Sequence, residues 1–411
     1  MRRLVAAISG TVLVMVALAA TAADGAPPPA AATTLPAIQQ VLDTRSAAVM
    51  NGDKPAFMAT VDPGAPPAFR DAQSRQFDGL RSVPLAGYAL TARVDGTGDL
   101  AGPAGLSARH GGAPTSLPET RLRYRLRGYD DRDAVQSLFL TYVERGGRWF
   151  VAAADDLAGV GLMTARFIWD GGPVRALPTT HFLVLSHPED AARADALAGI
   201  AEDAMATLAA RWDQPWSQRI PLVLPHSIDE LAALLQSTFD LTNFVAFVDY
   251  GAVRDSGFEP TSPRIFIQDR NLSRYPRDFQ VRTLTHELTH AAASSLAGPL
   301  IPSWVHEGVA DWIATGRSTT ERKPAGSDGV LPRDYEFVTG GAASIVRSYS
   351  ESRSAISYAA GRFGLGMPSR FFAALGAARL TPGSADFQTD AALRQVTGVG
   401  LADLQTGWAR R

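Results

Sequence analysis

The sequence predicts an α+β protein built as two successive units. Three observations lead there. Over residues 36–170, short amphipathic helices give way to a run of strands. From residue 175 onward, strand and helix alternate, with helix alone toward the end. The chain has 411 residues, more than one compact core usually requires. Apolar residues make up 46% and charged residues 19%, which is a globular composition and not a disordered one. The net charge of −2 lacks the basic excess of a nucleic-acid binder, so no nucleic-acid partner is expected.

The first 23 residues read as an export signal: Arg2 and Arg3, then the apolar run Leu4–Ala20, then the small residues Thr21-Ala22-Ala23. Cleavage after Ala23 makes the protein secreted or extracytoplasmic. Membrane anchoring, and with it a cell-surface location, is expected only if the segment stays uncleaved. With no cysteine in the chain, disulfides, thiolate metal sites and a lipoprotein anchor are all excluded. Residues 24–35 are rich in Ala and Pro and read as a linker.

Within 36–170, Ile38, Val41, Leu42, Arg45 and Val49 share one face of a helix, and Lys54–Val61 and Ala68–Leu80 follow as two more. Four strands are expected at Tyr88–Val94, Arg121–Leu126, Val135–Val143 and Arg148–Ala153, with Gly146-Gly147 as a hairpin turn. Arg121–Arg127 alternates Arg with Leu or Tyr, as a half-exposed strand does. His110, in the Gly-rich stretch Arg109–Gly112, reads as a loop residue and not a ligand. Helices followed by a strand meander closing on Gly-Gly-Arg-Trp-Phe-Val resemble the nuclear transport factor 2-like fold. The resemblance implies a cone with a curved sheet, used elsewhere for small molecules or as an accessory module.

From 175 to 411, strands are expected at His181–Ser186, Ile220–Leu224, Phe244–Val248 and Arg264–Gln268. A long helix runs Pro188–Trp212, and Ser227 with Glu230 forms a capping box for the next. A further helix spans about Pro276 to Leu296, and short apolar-faced helices fill Phe371–Trp408.

The helix after the last strand carries His286-Glu287-Leu288-Thr289-His290. Residues at i and i+4 lie one turn apart on one face, so the two imidazoles can converge on one tetrahedral Zn²⁺. Glu287 projects beside them, where it can take a proton from water. Downstream stands Trp304-Val-His-Glu307-Gly-Val-Ala-Asp311, and further on Ile356-Ser-Tyr358-Ala-Ala-Gly361. Together these segments resemble the gluzincin metallopeptidases, shared in kind by thermolysin-like proteases and the aminopeptidase N family.

The resemblance implies a zincin-like domain with a mixed sheet, an active-site helix and a mostly helical C-terminal lobe. It implies Glu307 as third zinc ligand, Asp311 as hydrogen-bond partner of His286, and Glu287 as general base. Tyr358 is then the donor to the tetrahedral intermediate, with Tyr349 as the alternative. It implies a peptide or protein substrate, laid as an extended strand along Phe244–Tyr250. Two departures are visible: 16 residues separate His290 from Glu307, slightly fewer than in most gluzincins, and His306 stands where aminopeptidases often carry Asn. His306 reads as a neighbour of the metal and not a ligand, since adjacent helical positions diverge by about 100°. No acidic anchor for a substrate amine is present, which favours endopeptidase action. The competing readings are a catalytically silent or small-ligand-binding extracellular protein, and an amidohydrolase acting on non-peptide bonds.

Overall fold

The computed structural model describes residues 31–93, 99–237, 241–242, 244–249, 262–298, 300–339, 341–378 and 385–411. The export-type segment 1–23 lies outside the described residues. So does residues 24–30 of the stretch read as a linker, but its last residues do not behave as one. Helix α1 (Ala31–Asn51) begins at Ala31. Ala is the strongest helix former, and Pro36 forgoes only one bond close to the helix start.

The fold is α+β. Helices α2 (Lys54–Met58) and α3 (Pro67–Leu80) follow α1. Then come β1 (Leu85–Arg93), the single-turn α4 (Leu106–Arg109), β2 (Thr115–Ser116), β3 (Glu119–Leu126), β4 (Ala134–Leu138), β5 (Thr141–Arg145) and β6 (Arg148–Ala153). Two three-stranded sheets result, ordered β1-β3-β4 and β2-β5-β6. Helix α1 lies along the outer edge of β1. Gln39 there accepts from the Ala92 N–H (2.9 Å) and donates to the Leu90 carbonyl (3.0 Å), so that edge's backbone groups are satisfied by side chains. Along β3, Leu122, Tyr124 and Leu126 are buried while Arg123 and Arg125 face water, as the alternation predicts.

The strand expected at Val135–Val143 is two strands. It breaks at Phe139-Leu140, where the Thr164 hydroxyl accepts from the Phe139 N–H (3.0 Å), and the chain passes from one sheet to the other. Apolar content runs through the break, so periodicity cannot reveal it. The turn between β5 and β6 is at Gly146-Gly147, with φ of 57° and 77°, the left-handed pair that tight hairpins require. His110 lies in the turn that follows α4, as expected of a connecting residue, and pairs with Asp156 at 2.9 Å.

The remaining strands are β7 (Arg175–Pro178), β8 (Phe182–Ser186), β9 (Ile220–Leu224), β10 (Ala246–Asp249) and β11 (Arg264–Ile267), in one mixed sheet ordered β10-β11-β9-β8-β7. The three central strands are parallel, and the outer two, β7 and β10, run antiparallel. Helix α5 (Ala191–Ala209) links β8 to β9, and α6 (Ile228–Leu234) and α7 (Asp269–Leu272) are short. Next come α8 (Arg277–Ala293), α9 (Ser303–Ala314), α10 (Gly341–Phe363), α11 (Met367–Ala377), α12 (Ala385–Thr397) and α13 (Leu401–Ala409). No described helix is long and apolar enough to cross a membrane.

Both faces of this sheet are buried, which explains its unbroken apolar strands. Phe182, Val184, Leu222, Leu224, Val248, Ile265 and Ile267 pack with α5, α8 and α9. Leu183, Leu185, Val223, Phe247 and Phe266 share a core with Ile38, Leu42, Leu122 and Trp169 of the N-terminal half. The two halves therefore meet through a common apolar layer. A buried ion pair crosses it: Arg264 grips Asp130 with both terminal nitrogens (3.0 and 2.6 Å) and donates from Nε to the Tyr124 hydroxyl (3.1 Å).

At the carboxyl ends of β8 and β9, the Ser227 hydroxyl accepts from the Glu230 N–H (3.1 Å). The reciprocal half of the expected box is displaced by one residue: Glu230 accepts from the His226 N–H (2.7 Å), and its other oxygen meets His187 Nε2 (2.7 Å). That hydrogen bond raises the His187 imidazole above its ordinary 6.5, outweighing burial. A raised imidazole stabilises the fold fully below about 6.5, and the contribution is lost as pH climbs through the folded-state value. We expect the melting-temperature gap between wild type and Glu230→Gln to be widest near pH 6 and to shrink toward pH 9, read by thermal denaturation across that range. A gap independent of pH would remove His187 from this role.

Candidate metal centre

Helix α8 runs between the sheet, α5 and α9, and every residue from Thr283 to Ala293 is buried. Its small residues, Thr285, Thr289 and Ala291–Ala293, let neighbouring elements come close, while Leu284 and Leu288 anchor it in the core. His286 and His290 project from one face, as the i, i+4 spacing requires.

Helix α9 supplies the third group. Pro302 precedes it, and Asp334 accepts from the Ser303 N–H (2.7 Å), which satisfies one of the helix's orphan donors. One turn in, the Glu307 carboxylate faces both imidazoles. His286 Nε2 and His290 Nε2 lie 3.0 Å apart, and Glu307 Oε2 lies 3.1 Å from the first and 3.3 Å from the second. All three residues are only 3–4% exposed. A tetrahedral ion with ligands at about 2.0–2.1 Å separates its donor atoms by about 3.3 Å. The triangle has nearly that size, so these three residues could hold a metal ion.

Each imidazole is oriented by a different device. His286 Nδ1 faces Asp311 Oδ1 at 3.8 Å, within ion-pair range but longer than the hydrogen bond expected from a residue one turn beyond Glu307. With Nδ1 turned outward to Asp311, a neutral His286 ring offers its Nε2 lone pair to the donor triangle. His290 is held by stacking: the His306 ring lies 4.5 Å from it at 15°, and Phe372 of α11 backs His306 at 5.5 Å. His306 is thus a ring neighbour outside the donor group. Glu287, 1% exposed, sits close enough for its charge to act on both His286 and Tyr349.

The charges hold one another. Burial opposes an imidazolium at His286, but Asp311 and Glu307 outweigh it and push the group up to about 10. Burial would raise Glu307, yet the two histidines hold it far below the usual carboxylate range. Burial and the neighbouring His290 push His306 down to about 3. Burial also opposes ionisation of Asp311, while His286 and Arg353 keep its carboxyl low.

The tyrosine expected at the site is a different one. Tyr358 packs against the C-terminal helix: a Cβ added at Gly407 would lie 2.0 Å from its hydroxyl, which accepts from Arg362 Nη1 (3.1 Å), and Arg411 covers its ring. Tyr349 is the residue beside the donors, its ring 6.2 Å from that of His286 and its hydroxyl bonded to Glu307. The two tyrosines are nine residues apart on α10, which at about 100° per residue puts them on opposite sides of the helix. Burial and the surrounding carboxylates push the Tyr349 phenol well above 10. Arg353, one turn beyond Tyr349 on α10, pairs with Asp311.

Gly308, next to Glu307, is what admits α10. A Cβ there would meet the Ser352 carbonyl oxygen and Ile356 Cγ1, each at 2.9 Å, so the helices cross with no room for a side chain. Gly308→Val is expected to destabilise the fold by about 1–3 kcal/mol in denaturant melts and to lower metal content by pushing Tyr349 and Arg353 off the site. Full stability in that variant would show that the crossing is not tight.

Neither protein-family models, nor curated proteins, nor solved structures yield a match for this chain.

Proposed function

We propose that this protein is an exported zinc-dependent hydrolase of the gluzincin type, acting on peptide bonds. The observation that carries the reading is the buried triangle of His286, His290 and Glu307, with Glu287 beside it and Tyr349 bonded to one of its members. The surrounding architecture supports it. A mixed sheet ends in the antiparallel strand β10, α8 packs against β10 and β11, and α9 brings the third donor. A helical lobe follows, as the zincin-like reading expects. The N-terminal half, with three helices ahead of two small sheets, is read as the nuclear transport factor 2-like module.

Two imidazoles and one carboxylate are the donors preferred by a catalytic zinc, which keeps a fourth position open. When bound, Zn²⁺ supplies Lewis acidity there, acidifying water and polarising a carbonyl oxygen. The chain's own residues do the rest. Glu287 removes a proton from the water that attacks the carbonyl carbon. As the carbon–nitrogen bond breaks, the same carboxyl returns that proton to the leaving amine. The Tyr349 phenol, kept neutral, donates its hydrogen bond to the oxyanion as charge develops. An extended peptide is held along the edge strand β10, whose partner among the described strands is β11 alone.

The test uses purified protein, metal analysis and a peptide library. Glu287→Gln should keep one zinc per chain and lose turnover by about 10²–10⁴-fold. Zinc binding with undiminished turnover would eliminate Glu287 as the base. Tyr349→Phe should lower kcat by about 10²-fold, whereas Tyr358→Phe should leave kcat unchanged. The reverse pattern would return the donor role to Tyr358.

A further inference from the structure

We infer that Arg353 is a positioning residue for the metal centre, acting through Asp311 on His286; the assignment rests on the metal-centre reading above. The Asp311 carboxylate has two oxygens with separate tasks. Oδ2 accepts from Arg353 Nη1 at 2.6 Å, which leaves Oδ1 facing His286 Nδ1 at 3.8 Å. The guanidinium is itself clamped from the other side: Nε donates to Glu321 (2.8 and 3.1 Å) and Nη2 lies 2.7 Å from Glu321 Oε1. Glu321 lies in the segment after α9, Asp311 on α9 and Arg353 on α10. The planar fork therefore ties three pieces of chain to one carboxylate orientation.

This arrangement differs from an ordinary helix-to-helix staple. Arg353 and Asp311 are about a quarter and a fifth exposed on their side chains, so removing the guanidinium leaves a largely buried carboxylate without its cation. The pair also has a geometric effect. A carboxylate free to turn about its last bond offers His286 a shifting acceptor. One pinned through Oδ2 holds Oδ1, and with it the imidazole's tautomer and ring plane. The helix crossing at Gly308 makes the contact reachable, because Arg353 stands directly after Ser352, whose carbonyl lies against that glycine.

The experiment measures zinc affinity of metal-stripped protein by competition with a chromophoric chelator, with folding checked by far-ultraviolet circular dichroism. Arg353→Met and Asp311→Ala should each weaken zinc binding about 10-fold or more. The double variant should bind no more weakly than Asp311→Ala alone, because Arg353 acts only through that carboxylate. Arg353→Lys, which keeps one charge but not the fork, should recover part of the loss and remains informative if the Met variant folds poorly. Wild-type affinity in Arg353→Met, or losses that simply add in the double variant, would overturn the positioning role while leaving the metal centre standing. A wild-type chain that binds no zinc would overturn the metal-centre reading and this assignment together.

Discussion

Three donor atoms of two imidazoles and a carboxylate lie within 3.0–3.3 Å of one another in a buried site, and much of the C-terminal half serves to impose that spacing. Bringing such groups together out of water is costly unless their protons and charges are arranged to match. The arrangement reaches outward in order. Asp311 faces His286, Arg353 holds Asp311, and Glu321 holds Arg353. On the other side His306 and Phe372 fix the plane of His290 without any charge. One imidazole is thus oriented by ions and the other by ring packing.

The scaffold beneath is a sheet buried on both faces. On one side lie the helices that bear the donor triangle; on the other lies the N-terminal half, joined through a shared apolar layer and the Arg264–Asp130 pair. A fully buried guanidinium–carboxylate pair is worth little against a well-packed apolar alternative, but breaking it strands a charge at about 3–5 kcal/mol. It therefore favours one relative placement of the halves over others. Residues 36–170 read in the sequence as a separate unit because their helix-then-strand pattern is self-consistent. The apolar face that they turn toward the sheet looks, in one dimension, like any other core.

Much of the candidate centre was legible because its spacings are local. His286 and His290 are one turn apart, as are Glu307 and Asp311, and helical geometry alone places each pair on one face. The long helix after β8, four of the five strands of the central sheet and the glycine hairpin followed from period and turn chemistry in the same way; the edge strand β7 did not. The failures share a different cause. Tyr358 and Tyr349 lie on opposite sides of one helix, and which side faces the donor triangle depends on how α10 is rotated where it crosses Gly308. The strand expected at Val135–Val143 divides because Thr164, some 25 residues on from Phe139, meets it there.

By itself, then, the sequence determined the α+β class, the helices that bear His286, Glu287, His290 and Glu307, and the orientation of each along its own axis. Tertiary structure alone decided which tyrosine stands over the donors, that Arg353 grips Asp311, that His306 stacks on His290, and that the N-terminal half closes the back of the sheet. The physical reason is range. Periodicity reports which side chains share a face, because backbone hydrogen bonding sets that within a turn or two. Which faces meet is set by the volumes at the crossing points, here a glycine against a carbonyl oxygen, and no spacing along one helix encodes that.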